Sequence, residues 1–269
     1  FVSWGYSSVL FEVFWCISIY TTILSLEFAE VVTERIGKNV HRFILKALPV
    51  LIIIGLIFPM MHQSSLGGLF LIAKSKMYPL WWSEFLPLYF LMSSFFVGSA
   101  MVCIETELAR RAYRHEIPTN VLKNLTRVGA RIMAAYLALK LFDIIAQGQV
   151  GLLFAGNMQS NMFLLELFLG IIIPLGIIFS PYAKTRNGLL TYSLLVAGGV
   201  VLHRTNMVFT SMYTSGSYFP SIWEFIVSAG LISVGCLLYC FIVENFVVIG
   251  ESYAVPAKVQ DATGEHSVH

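Results

Sequence analysis

The chain has 269 residues, of which 57% are hydrophobic and only 12% charged, and its mean hydropathy is +0.77. A soluble domain carries about 25% charged residues, so this composition excludes one. The net charge of +2 points to no nucleic-acid partner, because the basic residues cluster in short loops between apolar runs.

Seven apolar runs, at about 7–33, 43–62, 84–108, 128–148, 161–181, 189–212 and 222–249, follow one another along the chain. An α-helix needs about 20 apolar residues to cross a ~30 Å hydrocarbon layer, so each run predicts a transmembrane helix. The expected fold is all-α: a polytopic integral membrane protein of helical bundles, with a transmembrane domain over 1–250 and a polar cytoplasmic tail over 251–269. Residues 63–80 are too short and polar to span, and predict a short helix along the membrane surface that ends at Pro79. The chain opens on Phe1 without a signal-peptide pattern, which predicts that an N-terminal part precedes it. Cys16, Cys103, Cys236 and Cys240 all lie in apolar runs with no CxxC spacing, so buried, inert thiols and no metal site are expected.

The loops orient the chain. Twelve Lys and Arg residues fall on one side (Arg35, Lys38, Arg42, Lys46, Arg110, Arg111, Arg114, Lys123, Arg127, Lys184, Arg186 and Lys258), against Lys74 and Lys76 on the other. Cytoplasmic loops are the basic ones, so the Lys74 side is outside, periplasmic in a bacterium, and the C-terminus is cytoplasmic. Trp4, Trp15, Trp81, Trp82 and Trp223 all fall toward that outer side, where indoles favour the headgroup region and where a partner protein would cover them.

An ionisable residue at mid-membrane costs at least about 2.5–3.5 kcal/mol on insertion scales, so each needs a reason. An outer layer holds Glu12, His62, Asp143, Glu166, His203, Arg204 and Glu224; an inner layer holds Glu27, Glu105, Glu107, Arg131 and Glu244. Lys140 and Asp143, three apart, can face each other on one helix, and Arg204 is expected to pair with Glu166 or Glu224. These read as structural pairs that staple helices. Glu27, Glu105 and Arg131 are either solvated near the inner surface or part of a proton path from it.

His62 opens the string "HQSSLGG". As a bland feature it is an interfacial histidine donating to a backbone carbonyl. As a functional one, its imidazole, the Gln63 amide and the Ser64 hydroxyl could receive a flat ligand with two carbonyl oxygens. Quinone reduction consumes two protons, and an imidazole titrates near neutral pH. Haem held by two histidines needs a facing pair. His41, His115, His266 and His269 fall in loops or the tail, and His62 and His203 sit at different depths, so no haem is expected.

The strings "SSVLFE" (7–12), "LEFAE" (26–30), "MHQSSLGGL" (61–69), "PLW" (79–81), "LLFAGN" (152–157) and "HRTN…YFPSIWE" (203–206 and 218–224) together resemble the NrfD/polysulfide-reductase membrane-subunit family over nearly all of the chain. The likeness is to its branch of HybB-like (nickel–iron hydrogenase) and DsrP-like (sulfite-reductase-associated) subunits. The resemblance implies a haem-free, metal-free subunit that exchanges electrons and protons with menaquinone or another quinone. It also implies an iron–sulfur partner with ferredoxin-like clusters on the outer face, and further catalytic or cytochrome subunits. Glu12, His62, Gln63 and Ser64 match family positions near the expected quinone site, while Arg204 and Glu224 match a C-terminal pattern read as architectural. Members resemble a ten-span protein, so three earlier spans are expected to be missing here. The expected function is thus a quinone-reactive membrane anchor of a respiratory oxidoreductase in a prokaryotic cytoplasmic membrane. The competing classes are a transporter or channel, which should show inverted repeats, and a haem-b electron carrier.

Overall fold

The computed structural model describes residues 8–36, 38–113, 119–212 and 221–245. The expected tail, Trp4, Arg114, His115, Lys258, His266 and His269 lie outside these. The described chain is helical with no strand. Its helices are α1 (Val9–Ile36), α2 (Lys38–Leu71), α3 (Leu86–Tyr113), α4 (Thr119–Ala146), the single turn α5 (Val150–Leu153), α6 (Met158–Leu167), α7 (Ile173–Phe179), α8 (Arg186–Thr205) and α9 (Ile222–Asn245). Two compact units divide it: residues 8–25 with 48–212, and residues 26–47 with 221–245. In the second unit, α9 buries none of its residues within the chain. Its Cys236 and Cys240 are therefore exposed rather than buried as expected, whereas Cys16 and Cys103 of the first unit are buried.

Among the described residues, five helical stretches are long and apolar enough to cross a membrane: Phe11–Glu30, His41–Leu71, Leu86–Ala112, Met158–Phe179 and Ile222–Asn245. The stretches α4 and α8 miss that apolarity because they carry Lys123, Arg127, Arg131, Lys140 and Asp143, and Arg186, His203 and Arg204 respectively. Both are held inside the main bundle, where α3 packs chiefly on α4 and α8, and α8 on the α6–α7 span. Its core is made of Phe96, Ala100, Met133, Tyr136, Tyr192 and Val196. Side chains facing inward from four helices in this way remove apolar surface from the lipid-facing exterior and leave an interior where polar groups can find one another.

Residues 63–80 differ from expectation. No separate surface helix forms there: α2 runs unbroken through His62 to Leu71, and only Lys74–Lys76 makes a further 3₁₀ turn. Within "QSSLGG", Ser65 Oγ stands 3.2 Å from the Met61 carbonyl oxygen, and Gly67 sits against the start of the next helix. A Cβ on Gly67 would stand 2.7 Å from the Leu86 carbonyl oxygen and 2.9 Å from Pro87 Cα. The following segment then folds back over the bundle end. Met77, Leu80 and Trp81 are buried with Leu86, Phe90, Phe163 and Met207, and the Tyr78 amide donates to the Ser211 carbonyl at 3.0 Å. Trp81, 3% exposed, is thus a core residue and not an interfacial one.

The α6–α7 span and α8 cross at two glycines. A Cβ on Gly170 would lie 2.9 Å from Gly199 Cα, and one on Gly199 would overlap Gly170 Cα. Small residues permit such backbone approach in membrane bundles. Each helix also widens beside the crossing, into π-helical turns at Phe168–Ile172 and Asn206–Thr210. Gly199→Ala is expected to cost about 1–3 kcal/mol through overpacking, read as a lower thermal denaturation temperature of the purified protein. Gly198→Ala, which meets nothing within 4 Å, should leave that temperature unchanged or raise it.

Candidate functional site

The most polar place in the bundle is built on one carboxylate. Glu166, 3% exposed, projects from the last turn of α6. Its Oε1 accepts from Lys140 Nζ at 3.0 Å and lies 2.7 Å from His203 Nδ1. Its Oε2 accepts from Trp81 Nε1 at 3.1 Å and from Asn206 Nδ2 at 3.2 Å. Four groups from the fold-back segment, α4, α8 and the π-turn after α8 therefore converge on one side chain. Lys140, 5% exposed, also approaches the Tyr136 hydroxyl at 3.4 Å and lies 4.7 Å over the Phe163 ring.

Beside this network Arg204 sets its guanidinium carbon 3.3 Å over the Phe90 ring and donates to Ser93 Oγ at 2.7 Å. Its Nη1 is buried with no hydrogen-bond partner among the described residues. A cavity of about 20 Å³ opens among Ser93, Tyr136, Glu166, Gly170, Gly199 and His203, which is room for about one water molecule.

The expected charge pairs are accordingly rearranged. Lys140 does not pair with Asp143 one turn away; it reaches across the bundle to Glu166. A carboxylate from a facing helix can enter the ammonium's dry environment head-on, whereas Asp143 accepts from Gln147 Nε2 at 2.8 Å instead. Arg204 makes no ion pair with Glu166 and donates to Ser93 instead. Glu224 is exposed in the second unit and accepts from Ser221 Oγ at 3.0 Å, in the first turn of α9.

The residues singled out at the end of "MHQSSLGG" are placed as follows. His62, Gln63 and Ser64 are half-buried on α2, with more than two turns of helix beyond His62. His62 Nδ1 is buried and has no hydrogen-bond partner among the described residues. Glu12 on α1 is exposed, yet it accepts from Ser65 Oγ at 2.8 Å, so α1 and this part of α2 are tied together. Of the inner residues, Glu105 and Arg131 are exposed on α3 and α4 and make no hydrogen bond or ion pair among the described residues; Glu27 is half-buried in the second unit. Glu107, buried at 5% exposure, is gripped by Arg110 at 2.6 Å and Arg111 at 3.0 Å.

The sequence places His203 in the outer charged layer without a partner, Trp81 among the outer tryptophans and Asn206 only within the family string "HRTN", and does not single out Tyr136. One signal was available: His203 and Asn206 are three apart, and so share a helix face. That Glu166 should be their common acceptor depends on helix packing, which no local spacing encodes.

Removing one member of a buried ion pair strands its partner and costs about 3–5 kcal/mol, whereas replacing both by apolar residues of similar volume is far milder. Glu166→Leu and Lys140→Met are each expected to lower the denaturation temperature of the purified protein sharply. The double variant should recover most of that loss.

Comparison with known proteins adds the lineage. The family described as Polysulphide reductase, NrfD, matches residues 1–216. A protein of Nitratidesulfovibrio vulgaris is 30% identical over 262 residues, covering 93% of this chain and 67% of that protein. The probable Ni/Fe-hydrogenase 2 b-type cytochrome subunit of Escherichia coli is 31% identical over 252 residues, covering 90% of this chain and 64% of its own length. The chain thus spans about two thirds of the length of these curated relatives. No solved structure matches. The name of the E. coli relative corrects the expectation of no haem, since a b-type cytochrome is a haem protein. The histidine count behind that expectation was taken over this chain alone, and axial ligands can come from helices that it does not span. With five membrane-length apolar helices and a family match over residues 1–216, the chain is a multi-pass integral membrane protein belonging to the NrfD polysulphide-reductase family.

Proposed function

We propose that this chain is the quinone-reactive membrane subunit of a respiratory oxidoreductase complex. In this reading it exchanges electrons with an iron–sulfur partner on the outer face and protons with menaquinone or another quinone. It lies in a prokaryotic cytoplasmic membrane with its C-terminus inside. Family membership and a relative named as a hydrogenase subunit support the membrane-subunit part of this reading. The quinone part is carried by one observation: a half-buried histidine whose Nδ1 has no partner among the described residues, on the helix whose Ser65 donates to the Glu12 carboxylate.

In this reading the head-group carbonyl lies against His62, with the Gln63 amide and Ser64 hydroxyl fixing its orientation. Reduction to the quinol consumes two electrons and two protons, and an imidazole can deliver one of those protons as a general acid. Glu12, bonded to Ser65, holds α1 against the site and supplies a second acceptor. His62→Ala in the purified complex should lower turnover with a soluble quinone analogue about 10²–10⁴-fold, the usual worth of a general acid–base group. Assembly and reduction of the partner's clusters should persist. Normal quinone turnover would place the site elsewhere.

The name of the E. coli relative favours a second component, a haem b. Haem iron is held axially by imidazole in many such proteins. His203 is committed to Glu166 beside a cavity of only about 20 Å³, while even drug-sized sites occupy about 300–1,000 Å³. Among the described residues, His41 and His62, both half-buried on α2 with Nδ1 unbonded, are the side chains that offer an axial donor, His62 only in place of its quinone role. When bound, the haem would supply one-electron storage between the partner clusters and the quinone. An optical spectrum of the complex should then show a Soret band that is displaced or lost in His41→Ala or His62→Ala and unchanged in His203→Asn.

A further inference from the structure

Where three helices end, the chain forms a polar opening of about 430 Å³ lined by Lys74, Trp82, Glu84, Phe85, Asp143 and Gln147. Lys74 follows α2, Glu84 and Phe85 precede α3, and Gln147 follows α4. The ends of membrane-spanning helices lie at the depth of lipid head groups, a region that indoles such as that of Trp82 favour. The volume falls within the about 300–1,000 Å³ of small-molecule sites. No member of the Glu166 network lines it.

The lining carries both signs of charge without pairing them. Lys74 Nζ stands 4.0 Å over the Trp82 ring, and neither Lys74 nor Glu84 makes an ion pair among the described residues. Trp82 Nε1 is buried and has no hydrogen-bond partner among the described residues. A buried donor of this kind is unfavourable until an acceptor reaches it. Asp143, only 8% exposed, is fixed by Gln147 Nε2, which donates to its Oδ1 at 2.8 Å. An ammonium and an indole N–H thus call for an anion, and two carboxylates call for a cation, within one opening.

The apolar surface beside the opening completes the pattern. Phe85 is exposed, and so is Leu88, three residues on along α3 and on the same face. On α4, Leu139 lies one turn before Asp143 on its face, Phe142 is its neighbour, and both are exposed. The Tyr89 hydroxyl donates to the Leu139 carbonyl at 3.3 Å, so these stretches of α3 and α4 are adjacent. A molecule whose head sits in the opening therefore meets an apolar surface directly toward the middle of the membrane.

We propose that this opening binds the head group of an aminophospholipid, of the phosphatidylethanolamine class, whose acyl chains lie along Phe85, Leu88, Leu139 and Phe142. The phosphate accepts from Lys74 Nζ and Trp82 Nε1, and the primary ammonium donates to the Asp143 and Glu84 carboxylates. The ammonium decides the lipid class. Like that of lysine it has three N–H donors, enough for both carboxylates, whereas a quaternary choline has none. A phosphatidylglycerol head brings a negative charge and no cation to a lining that sets one cation against two carboxylates.

The test titrates the purified protein, in detergent micelles, with phosphatidylethanolamine, phosphatidylcholine or phosphatidylglycerol of identical acyl chains. Native mass spectrometry counts the lipid retained per chain. Phosphatidylethanolamine should be held about tenfold more tightly than either of the others, the worth of one charge-assisted hydrogen bond. Asp143→Asn should abolish that preference at an unchanged denaturation temperature. Lys74→Gln and Glu84→Gln alter exposed residues and so test the site without risk to the fold. The first should weaken retention of phosphatidylethanolamine and phosphatidylcholine alike, and the second should reduce the preference between them. Equal retention of the three lipids by the unaltered protein, or a full preference in both carboxylate variants, would overturn the site. Soluble phosphoethanolamine should not displace the lipid at equal concentration. Displacement there would overturn the lipid as ligand, because the apolar surface would then contribute nothing.

Discussion

A carboxylate among apolar helices is tolerated only if its charge is answered on every side, and Glu166 meets that condition. Lys140 and His203 answer one oxygen, and Trp81 and Asn206 the other. Each of these donors arrives from a different segment, so their convergence sets the relative positions of α4, α6, α8 and the fold-back segment at once. In a low-dielectric interior such a network is favourable only when complete. That completeness links helix packing to chemistry: the geometry that removes the charge penalty also lines up a lysine, a carboxylate and an imidazole.

The backbone adapts to this constraint. Gly170 and Gly199 let the α6–α7 span and α8 approach closely, and π-turns interrupt both helices, at Phe168–Ile172 around Gly170 and at Asn206–Thr210 two turns beyond Gly199. Trp81 enters the bundle from a segment that folds back over its end, sealed by Met77, Leu80 and Phe90. Dry packing on one side and a water-sized cavity on the other leave the network isolated from bulk solvent yet adjacent to a polar space.

The fold class was legible because membrane insertion is decided by composition along the chain, and long apolar runs carry that signal residue by residue. The charged layers were legible for the same reason: an ionisable residue in an apolar run stands out. Partners were not. The i, i+3 spacing of Lys140 and Asp143 suggested a local pair, but the ammonium found a deeper carboxylate 26 positions along the chain. Trp81 read as an interfacial anchor because it sits in a polar loop, and became core because that loop folds inward. The haem expectation was corrected by the name of a relative and not by geometry.

Taken by itself, the sequence determined that this is a helical membrane protein, which residues must be explained inside it, and which family it resembles. Hydropathy and motif identity are properties of a linear string, and they survive without coordinates. Only the tertiary structure decided that Glu166, rather than Asp143 or Glu224, is the common acceptor, and that His203, Asn206 and Trp81 join it. Those choices depend on which helix faces meet, and the meeting is set by glycine contacts and packing between segments far apart in the chain.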